Sequence, residues 1–303
     1  MQIKNRAALA AMVALACVST GASALTVTSY AVPGSTSTEL WGVNDRGVLV
    51  GSYDNGGFID DHGTITTVNL PGSPGYVAGI SNDGLAVGSD GTNSFFYKAG
   101  VLTSFAIAGE EETLLRGISS NGRYAAGVAY GADGSSEGFV LDLASNTLAT
   151  IAPPAGRNFT AVQGVNDLGV AVGSLNGSAG SMLFDSVSGT TTWFQALGDL
   201  SPVRARAFND AGDLGGWGID GDGKWVGFLE TAATGLTTFD LGSNDTVLYA
   251  LNNTGLAVGS YENDDGIDHS FVVNLTAVPE PSTTVLMALA LAAIAVRRSR
   301  RKG

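Results

Sequence analysis

The sequence predicts an all-β fold of six repeated units, and three observations support this prediction. Of the 303 residues, 43 are glycine, 44% are hydrophobic and only 14% are charged, which favours short strands joined by tight turns over helix bundles. A short phrase ending in glycine recurs six times at intervals typical of propeller blades. The first and last segments of the repeat region also match as partner strands. Together these features predict a six-repeat β-propeller with blades of about 40 residues.

The repeated phrase has the chemistry of a tight hairpin turn. In its first copy, Asn44 can accept hydrogen bonds from the backbone beyond it, and Gly47 can adopt a positive φ. This combination predicts a type I turn with a bulge that closes a three-residue loop. The glycines that end the six copies are Gly47, Gly84, Gly122, Gly169, Gly212 and Gly255. They lie 37, 38, 47, 43 and 43 residues apart, so each unit contains one such hairpin.

A strand of small apolar residues follows each turn and contains a second glycine. Glycine and alanine allow backbones to approach closely, which places these strands near the inner part of each blade. The second glycines are Gly51, Gly88, Gly127, Gly173, Gly216 and Gly259. Farther along the units, aromatic runs such as 95–100 precede a further apolar strand such as 101–105, which predicts a second hairpin. Each unit is therefore predicted to contain four strands.

The two ends of the repeat region are predicted to pair with each other. The sixth unit lacks a fourth strand before residues 277–303 begin, whereas residues 26–32 form an extra strand that resembles the end of the first unit. Pairing of the two would close the ring and remove two exposed sheet edges. A β-solenoid or an open array of hairpins is the alternative architecture.

Residues 1–24 have the pattern of a signal peptide. A basic start precedes an apolar stretch and small residues, and Ala22 and Ala24 give the A-x-A pattern that signal peptidase reads. The alternative is lipoprotein processing at Cys17, although the leucine of that motif stands one position too late. Cys17 is the only cysteine, so the predicted mature domain, residues 25–276, has neither a disulfide nor thiol chemistry.

Residues 277–303 combine three features of a sorting tail. A Val-Pro-Glu-Pro motif precedes a short apolar run at 285–296, and a cluster of five basic residues follows. The motif residues are Val278, Pro279, Glu280 and Pro281. The three features together resemble the PEP-CTERM sorting signal of Gram-negative bacteria. This resemblance implies that export machinery and signal peptidase act on the chain, and that a membrane protease of the exosortase type processes the tail.

The apolar run predicts a short C-terminal transmembrane helix. As a helix, residues 285–296 would extend about 18 Å, less than the hydrocarbon core of about 30 Å, which suits a transient anchor. The basic end would stay in the cytoplasm and leave the repeat domain on the far side of the membrane. The predicted location is therefore the inner membrane before processing and the cell surface or the extracellular space afterwards.

The repeat phrases resemble the HAF family of extracellular repeats, whose units pair an Asn-rich turn ending in glycine with an aromatic-rich strand downstream. The resemblance spans nearly all of residues 26–275. The His-Ala-Phe form itself is absent, and residues 269–271, His-Ser-Phe, are the nearest match. The resemblance implies an extracellular repeat protein and brings no established chemistry with it.

Charge and composition argue against several functions. Between the basic clusters near its two ends, the chain has eight Lys and Arg against 28 Asp and Glu, a net charge of −20 that repels nucleic acid and anionic membrane surfaces. His62 and His269 are the only histidines, which nearly excludes a zinc centre of the His/Cys type. No G-x-S-x-G motif occurs in a strand-turn-helix setting. We therefore expect a protein that is not an enzyme and has no cofactor, with calcium as the one candidate ion.

Asp-rich loops are the candidate calcium sites. Asp220 and Asp222 lie in an Asp-Gly-Asp-Gly sequence that offers several oxygen ligands from one loop. Similar loops lie near residues 54–61 and 262–268. The same residue types are also ordinary turn formers, and no full calcium-loop motif with a distal glutamate occurs.

The four tryptophans are a candidate sugar-stacking face, because aromatic rings pack against apolar sugar surfaces. They are Trp41, Trp193, Trp217 and Trp225. Trp41 and Trp217 border the repeat turns and are predicted to pack within blades. The predicted function is an exported surface or extracellular-matrix repeat protein with a structural or interaction role. The alternatives are a carbohydrate-binding module of the exopolysaccharide matrix and a polysaccharide lyase or hydrolase.

Overall fold

The repeat region folds into six four-stranded antiparallel sheets, which stand as blades around a central axis. The computed structural model describes residues 26–54, 56–70, 75–90, 93–154, 159–175, 180–241, 244–263 and 268–275, all within one compact unit, Leu25–Thr276. The prediction of an all-β, six-bladed propeller is confirmed. Along this part of the chain no residue lies in a helix, and so no helix is long and apolar enough to cross a membrane.

The first three blades each contain four strands that are consecutive in the chain and ordered from the axis outward. Blade 1 contains β2 (Thr38–Val43), β3 (Leu49–Tyr53), β4 (Gly56–Asp61) and β5 (Thr64–Val68). Blade 2 contains β6 (Tyr76–Ile80), β7 (Ala86–Ser89), β8 (Ser94–Lys98) and β9 (Val101–Phe105). Blade 3 contains β10 (Glu112–Ile118), β11 (Tyr124–Tyr130), β12 (Ser136–Asp142) and β13 (Thr147–Ile151).

Blades 4 and 5 repeat this order, and blade 6 takes its outer strand from the N-terminal end. Blade 4 contains β14 (Phe159–Val165), β15 (Val170–Leu175), β16 (Ser181–Asp185) and β17 (Thr190–Phe194). Blade 5 contains β18 (Val203–Phe208), β19 (Leu214–Ile219), β20 (Trp225–Thr231) and β21 (Gly235–Phe239). Blade 6 contains β22 (Asn244–Leu251), β23 (Leu256–Glu262), β24 (Asp268–Asn274) and β1 (Thr26–Tyr30).

The ring closes through the strand that the sequence predicted. β1 pairs antiparallel with β24, from Thr26 opposite Asn274 to Tyr30 opposite Ser270. The hydroxyl of Tyr30 then donates a hydrogen bond of 2.7 Å to Asp60 in blade 1. The segment from 26 to 32 therefore joins the last blade to the first.

Six apolar clusters hold the blades together, one at each boundary between neighbouring blades. In the cluster between blades 1 and 2, Val50 and Val77 are fully buried. In the cluster that closes the ring, Val258 of blade 6 packs with Leu40 and Phe58 of blade 1. Because every boundary is apolar, burial drives blade packing all the way around the axis.

Buried serines add polar links at alternate blade boundaries. Ser270 in blade 6 donates a 3.0 Å hydrogen bond to the carbonyl of Thr38 and accepts one of 2.9 Å from the backbone N–H of Leu40. Ser94 and Ser181 form the same two bonds with blades 3 and 5. A hydroxyl that donates to one backbone group and accepts from another fixes the position of the next inner strand.

Candidate ligand site in the central channel

Each inner strand contains a β-bulge that sets one extra residue against the neighbouring strand. In blade 1, Leu40 pairs with Gly51. The next pair is Gly42 with Val50, which leaves Trp41 without a partner in the register. A bulge re-aims the extra side chain out of the normal alternation. The extra residues of the six blades are Trp41, Ala78, Arg116, Gln163, Arg206 and Tyr249, and all six line the central cavity.

The second glycine of the repeat lies where the bulged strand comes closest to its neighbour. A Cβ atom on Gly51 would lie 1.9 Å from the carbonyl oxygen of Glu39, and one on Gly259 would lie 2.0 Å from that of Val247. The same overlap with a carbonyl oxygen occurs at Gly88, Gly127 and Gly216. Close backbone approach is thus the physical reason for glycine at this position.

The six repeat turns meet at one end of the channel. In the first, the N–H of Gly47 donates a 3.0 Å hydrogen bond to the carbonyl of Asn44. The side-chain oxygen of Asn44 accepts from the backbone N–H groups of Arg46 and Val48, both at 3.0 Å. The glycines that end the six turns have φ between 74° and 86°, a region that favours glycine.

The first side chain of these turns also links neighbouring blades. The amide of Asn44 donates to the carbonyl of Ser81 in the next blade, at 2.9 Å. Asn166, Asn209 and Asn252 donate in the same way to the turn that follows each of them. The bond from Asn252 to the carbonyl of Asn44, 2.7 Å long, spans the closure of the ring. The asparagine therefore shapes its own turn and positions the next one.

The second position of each turn forms a further set of hydrogen bonds closer to the axis. The backbone N–H of Asp45 donates to the side chain of Asn82, and that of Asp210 donates to the side chain of Asn253. The N–H of Asn253 in turn donates to the Asp45 carboxylate at 2.8 Å. This last contact joins residues 208 positions apart in the chain. They tie the turn end of the channel together.

Two carboxylates of this turn end, Asp45 and Asp167, have pKa values shifted in opposite directions. Burial alone would raise the pKa of Asp45, but hydrogen bonds from Asn82 and Asn253 outweigh it and lower the pKa below its usual value. Burial, together with the negative charges of Asp210 and Asp45, raises the pKa of Asp167. Asp45 is therefore the carboxylate whose ionised form the turns stabilise.

Replacing Asp45 with Asn is expected to destabilise the protein at pH 7 by about 1–3 kcal/mol, because an amide N–H would face groups that themselves donate. Since folding lowers the pKa of Asp45, its contribution is full above the unfolded value near 4 and is lost as the pH falls through the lower folded value. Urea unfolding of the parent and Asp45→Asn should therefore differ most near neutral pH and converge below about pH 4.

The control for this prediction is Asp61→Asn, which removes a carboxylate whose side chain is 66% exposed. We expect it to change stability by less than about 0.5 kcal/mol. Equal stability of Asp45→Asn and the parent at pH 7 would contradict the structural role of this carboxylate.

Above the turns, residues of all six blades line a central cavity. The wall nearest the turns is formed by apolar side chains, and the wall farther from the turns is formed by small residues. The apolar residues are Val43, Ile80, Ile118, Val165, Phe208 and Leu251. The small residues are Gly42, Gly79, Gly117, Gly164, Ala207 and Ala250. A Cβ atom on Gly117 would lie 2.7 Å from the carbonyl oxygen of Gln163, so the inner strands come close together here.

The opposite end of the channel, which we call the mouth, carries aromatic and cationic side chains on the bulges. The ring centroid of Trp41 lies 4.7 Å from that of Tyr249 and 5.4 Å from that of Tyr76. The guanidinium of Arg206 lies 5.1 Å from the Tyr249 ring, and that of Arg116 lies 5.6 Å from the Tyr76 ring. The mouth thus combines flat apolar surfaces with two cations.

The two arginines of the mouth lack acidic partners. The Nε atoms of Arg116 and Arg206 are buried and have no hydrogen-bond partner, and neither side chain forms a salt bridge with any residue that the structure describes. Burial lowers the pKa of Arg206, and the charges of Arg116 and Arg204 lower it further. Positive charge is therefore concentrated at this end of an acidic protein.

These two arginines carry no sequence motif that marks them as site residues. Both stand three residues before the first residue of a repeat turn, at the position of Trp41 and Tyr249 in other blades. An alignment of the six units on their turns would bring these positions into one column. The residues in that column are of different types, however. The bulge that directs their side chains toward the axis has no sequence signature of its own.

The remaining tryptophans lie away from the axis. Trp217, which is buried, stacks on Trp225 with ring centroids 4.1 Å apart, and the guanidinium of Arg204 lies 5.5 Å from the Trp217 ring. Trp225 is 39% exposed and Trp193 is 37% exposed. The structure therefore places Trp41 in the channel mouth, and Trp217 and Trp225 as one pair on the two strands of the β19–β20 hairpin.

Asp220 forms a turn within that hairpin. Its carboxylate accepts hydrogen bonds from the N–H groups of Asp222 and Lys224, at 3.0 and 2.9 Å, and Gly223 has a φ of 81°. Among the residues described, no three His, Cys, Asp or Glu side chains form a group that could hold a metal ion. Calcium binding at Asp220 and Asp222 stays a prediction.

The segments that the sequence analysis assigned to export lie outside the described residues. They are the signal-peptidase site at Ala22 and Ala24 and the motif at Val278, Pro279, Glu280 and Pro281.

Comparison with known proteins identifies the tail and the fold. Residues 277–301 match the model of the PEP-CTERM protein-sorting motif. No curated protein matches the chain. The tail is therefore a PEP-CTERM sorting signal, which indicates export and a surface or extracellular location.

Among solved structures, a protein assigned as a gluconolactonase is similar, with 12% identity and a TM-score of 0.52 over 86% of this chain and 96% of that protein. TolB from Acinetobacter baumannii is similar with 13% identity and a TM-score of 0.47, over 78% of this chain and 63% of that TolB. A protein assigned as TolB from Agrobacterium tumefaciens is similar with 14% identity and a TM-score of 0.46, over 78% of this chain and 89% of that protein. This chain thus spans less than two thirds of the Acinetobacter TolB. At 12% identity, the first of these likenesses concerns the fold alone.

Proposed function

We propose that the chain is an exported interaction protein of the cell surface or extracellular matrix, delivered by its tail and not acting as an enzyme. The observation that supports this most directly is the PEP-CTERM motif at residues 277–301, which follows the closed six-bladed ring in the sequence. The motif implies processing by a protease of the exosortase type. In this proposal the tail determines where the protein goes, and the propeller determines what it meets there.

The closed ring favours an interaction role because it holds its surface rigidly. Hydrogen bonds connect turn to turn around the axis, and an apolar cluster fills each blade boundary. A rigid surface loses little conformational freedom when it binds a partner, which favours affinity. The resemblance of the repeats to the HAF family fits an extracellular setting and stays a prediction, as does the Gram-negative origin.

The tail is expected to control location, because its apolar run is short and its basic end resists translocation. Replacing Pro279, Glu280 and Pro281 together with alanine should trap full-length protein in the inner membrane. Truncation after Ala277 should instead release a soluble form into the periplasm. Cell fractionation, with mass spectrometry of both chain ends, measures both outcomes.

The matched control replaces the next three residues, Ser282, Thr283 and Thr284, with alanine, which should leave export and processing unchanged. If the Pro279, Glu280 and Pro281 variant reaches the surface or the medium as well as the parent does, the tail is an ordinary anchor and the sorting part of the proposal fails.

Carbohydrate binding is the second candidate function, and the channel mouth is the observation that favours it. Trp41 lies between Tyr76 and Tyr249, and Trp225, which is 39% exposed, offers a second aromatic surface on β20 of blade 5. Aromatic rings of this kind pack well against the apolar faces of sugars. A glycan of the extracellular matrix is the corresponding partner.

A further inference from the structure

We infer that the mouth of the central channel binds a carboxylate-bearing sugar, with Arg116 and Arg206 holding the carboxylate and the neighbouring aromatic rings holding the sugar ring. The inference rests on the proposed interaction role and names a ligand class and a site for it.

Arg116 and Arg206 are both placed in the channel by β-bulges. They occupy bulges of two different inner strands, β10 and β18, and both line the same cavity. Neither strand needs a cation for its own pairing, because the bulged residue has no partner in the register. The bulges therefore present two guanidinium groups to the channel from different blades.

Neither arginine has an acidic partner among the described residues, and each has a buried Nε atom without a hydrogen bond. A buried polar group without a partner costs free energy, so native proteins rarely leave one unless a ligand or water satisfies it. Elsewhere in the propeller, Lys98, Arg123 and Lys224 each form a salt bridge with an aspartate. Arg123 bonds to Asp142 at 2.9 Å, and Lys98 bonds to Asp83 at 2.6 Å. Because acidic residues are abundant in this chain, the unpaired state of the mouth arginines indicates an anion from outside.

Two guanidinium groups favour a planar anion of low total charge. A guanidinium group binds a carboxylate through two parallel hydrogen bonds, which fixes the plane of the ligand. The net charge of −20 between the two basic clusters of the chain opposes the approach of a highly charged polyanion such as a nucleic acid. A ligand with one carboxylate per ring is attracted by the two guanidinium groups and is repelled far less by the acidic residues of the protein than a polyanion is.

The aromatic rings of the mouth favour a ligand that carries a sugar ring beside its carboxylate. Trp41, Tyr76 and Tyr249 supply flat apolar surfaces within the same mouth, which suits a sugar ring. All three rings line the same part of the channel as the two guanidinium groups. A free carboxylate such as acetate would leave these rings without a contact.

The test is isothermal titration calorimetry on the protein expressed as the full chain and purified from its host. Glucuronate, glucose and acetate serve as the probes, because glucose lacks the carboxylate and acetate lacks the ring. We expect glucuronate to bind at least about tenfold more tightly than either of the others. The double variant Arg116→Gln and Arg206→Gln should lose at least about tenfold in glucuronate affinity.

Two measurements separate binding from folding. The control Arg46→Gln removes the same charge from an exposed arginine in a repeat turn, at the other end of the channel, and should keep the affinity of the parent. The double variant should also melt at or above the temperature of the parent, because it removes two unpaired cations from a confined space. A purely structural role for these arginines would lower that temperature instead.

Several results would overturn the inference. One is that glucose or acetate binds as tightly as glucuronate. Another is that glucuronate does not bind at concentrations up to about 10 mM, which corresponds to a binding free energy weaker than about 3 kcal/mol. A third is that Arg46→Gln loses as much glucuronate affinity as the double variant. None of them affects the location measured with the tail variants. A failed binding test therefore removes this inference alone, whereas a failed localisation test removes the proposed function.

Discussion

Deleting residues 26–32 is expected to lower the midpoint of thermal unfolding by about 10 °C or more. The deletion removes β1, whose five residues pair with β24, and leaves the outer edge of blade 6 exposed. It also removes the hydrogen bond from Tyr30 to Asp60 and the buried side chain of Val32. Lost hydrogen bonds and lost apolar burial together amount to about 4 kcal/mol or more.

The matched control keeps the strand and changes only its exposed side chains. In the variant Val27→Thr, Thr28→Ser and Ser29→Thr, the backbone pairing with β24 is retained, so the unfolding midpoint should stay within about 2 °C of the parent. Far-UV circular dichroism, which follows the loss of secondary structure, records both transitions. A deletion variant that melts with the parent would show that the ring does not depend on this closure.

Replacing Gly259 with Ala is expected to destabilise the protein by about 4 kcal/mol or more, which would lower its unfolding midpoint by about 10 °C. The added Cβ would lie 2.0 Å from the carbonyl oxygen of Val247 and 2.7 Å from the ring of Phe271. The backbone cannot relax there without losing the bulge that directs Tyr249 into the channel. Thermal and urea unfolding measure the loss.

Substitutions at two further glycines distinguish the destabilisation caused by steric overlap from that caused by backbone strain. Gly212 has open space around it but a φ of 86°, so Gly212→Ala should cost only about 1–2 kcal/mol. Gly221 has open space and no positive φ, so Gly221→Ala should change stability by less than about 1 kcal/mol. If Gly259→Ala were no worse than Gly212→Ala, close backbone approach would not be the reason for the second glycine.

Local chemistry was enough to predict the architecture. The Asn or Ser and Gly pattern identifies a turn because its hydrogen bonds and its positive φ involve residues only two to four positions apart. Counting strands in each unit then revealed that the sixth lacked one and that residues 26–32 supplied it. Both inferences depend on short sequence distances or on simple repetition, which a single sequence displays directly.

The channel could not be predicted in the same way. A bulge adds one residue to a strand and interrupts the alternation from which buried and exposed faces are read, so the pattern around Arg116 and Arg206 does not reveal where they point. Their proximity in one cavity also depends on how blades 3 and 5 sit about a common axis. The assignment of Trp41 to blade packing missed the channel for the same reason.

By itself, the sequence determined the turns, the glycines, the number of blades, the strand that closes the ring and the sorting tail, because each is written in neighbouring residues or in their repetition. Only the tertiary structure decided which side chains meet at the axis. The bond from Asn252 to Asn44 joins residues 208 positions apart, and it forms because ring closure brings the last turn beside the first. Contacts of this kind depend on the packing of whole blades, which is set by the sum of many apolar boundaries and not by any local motif.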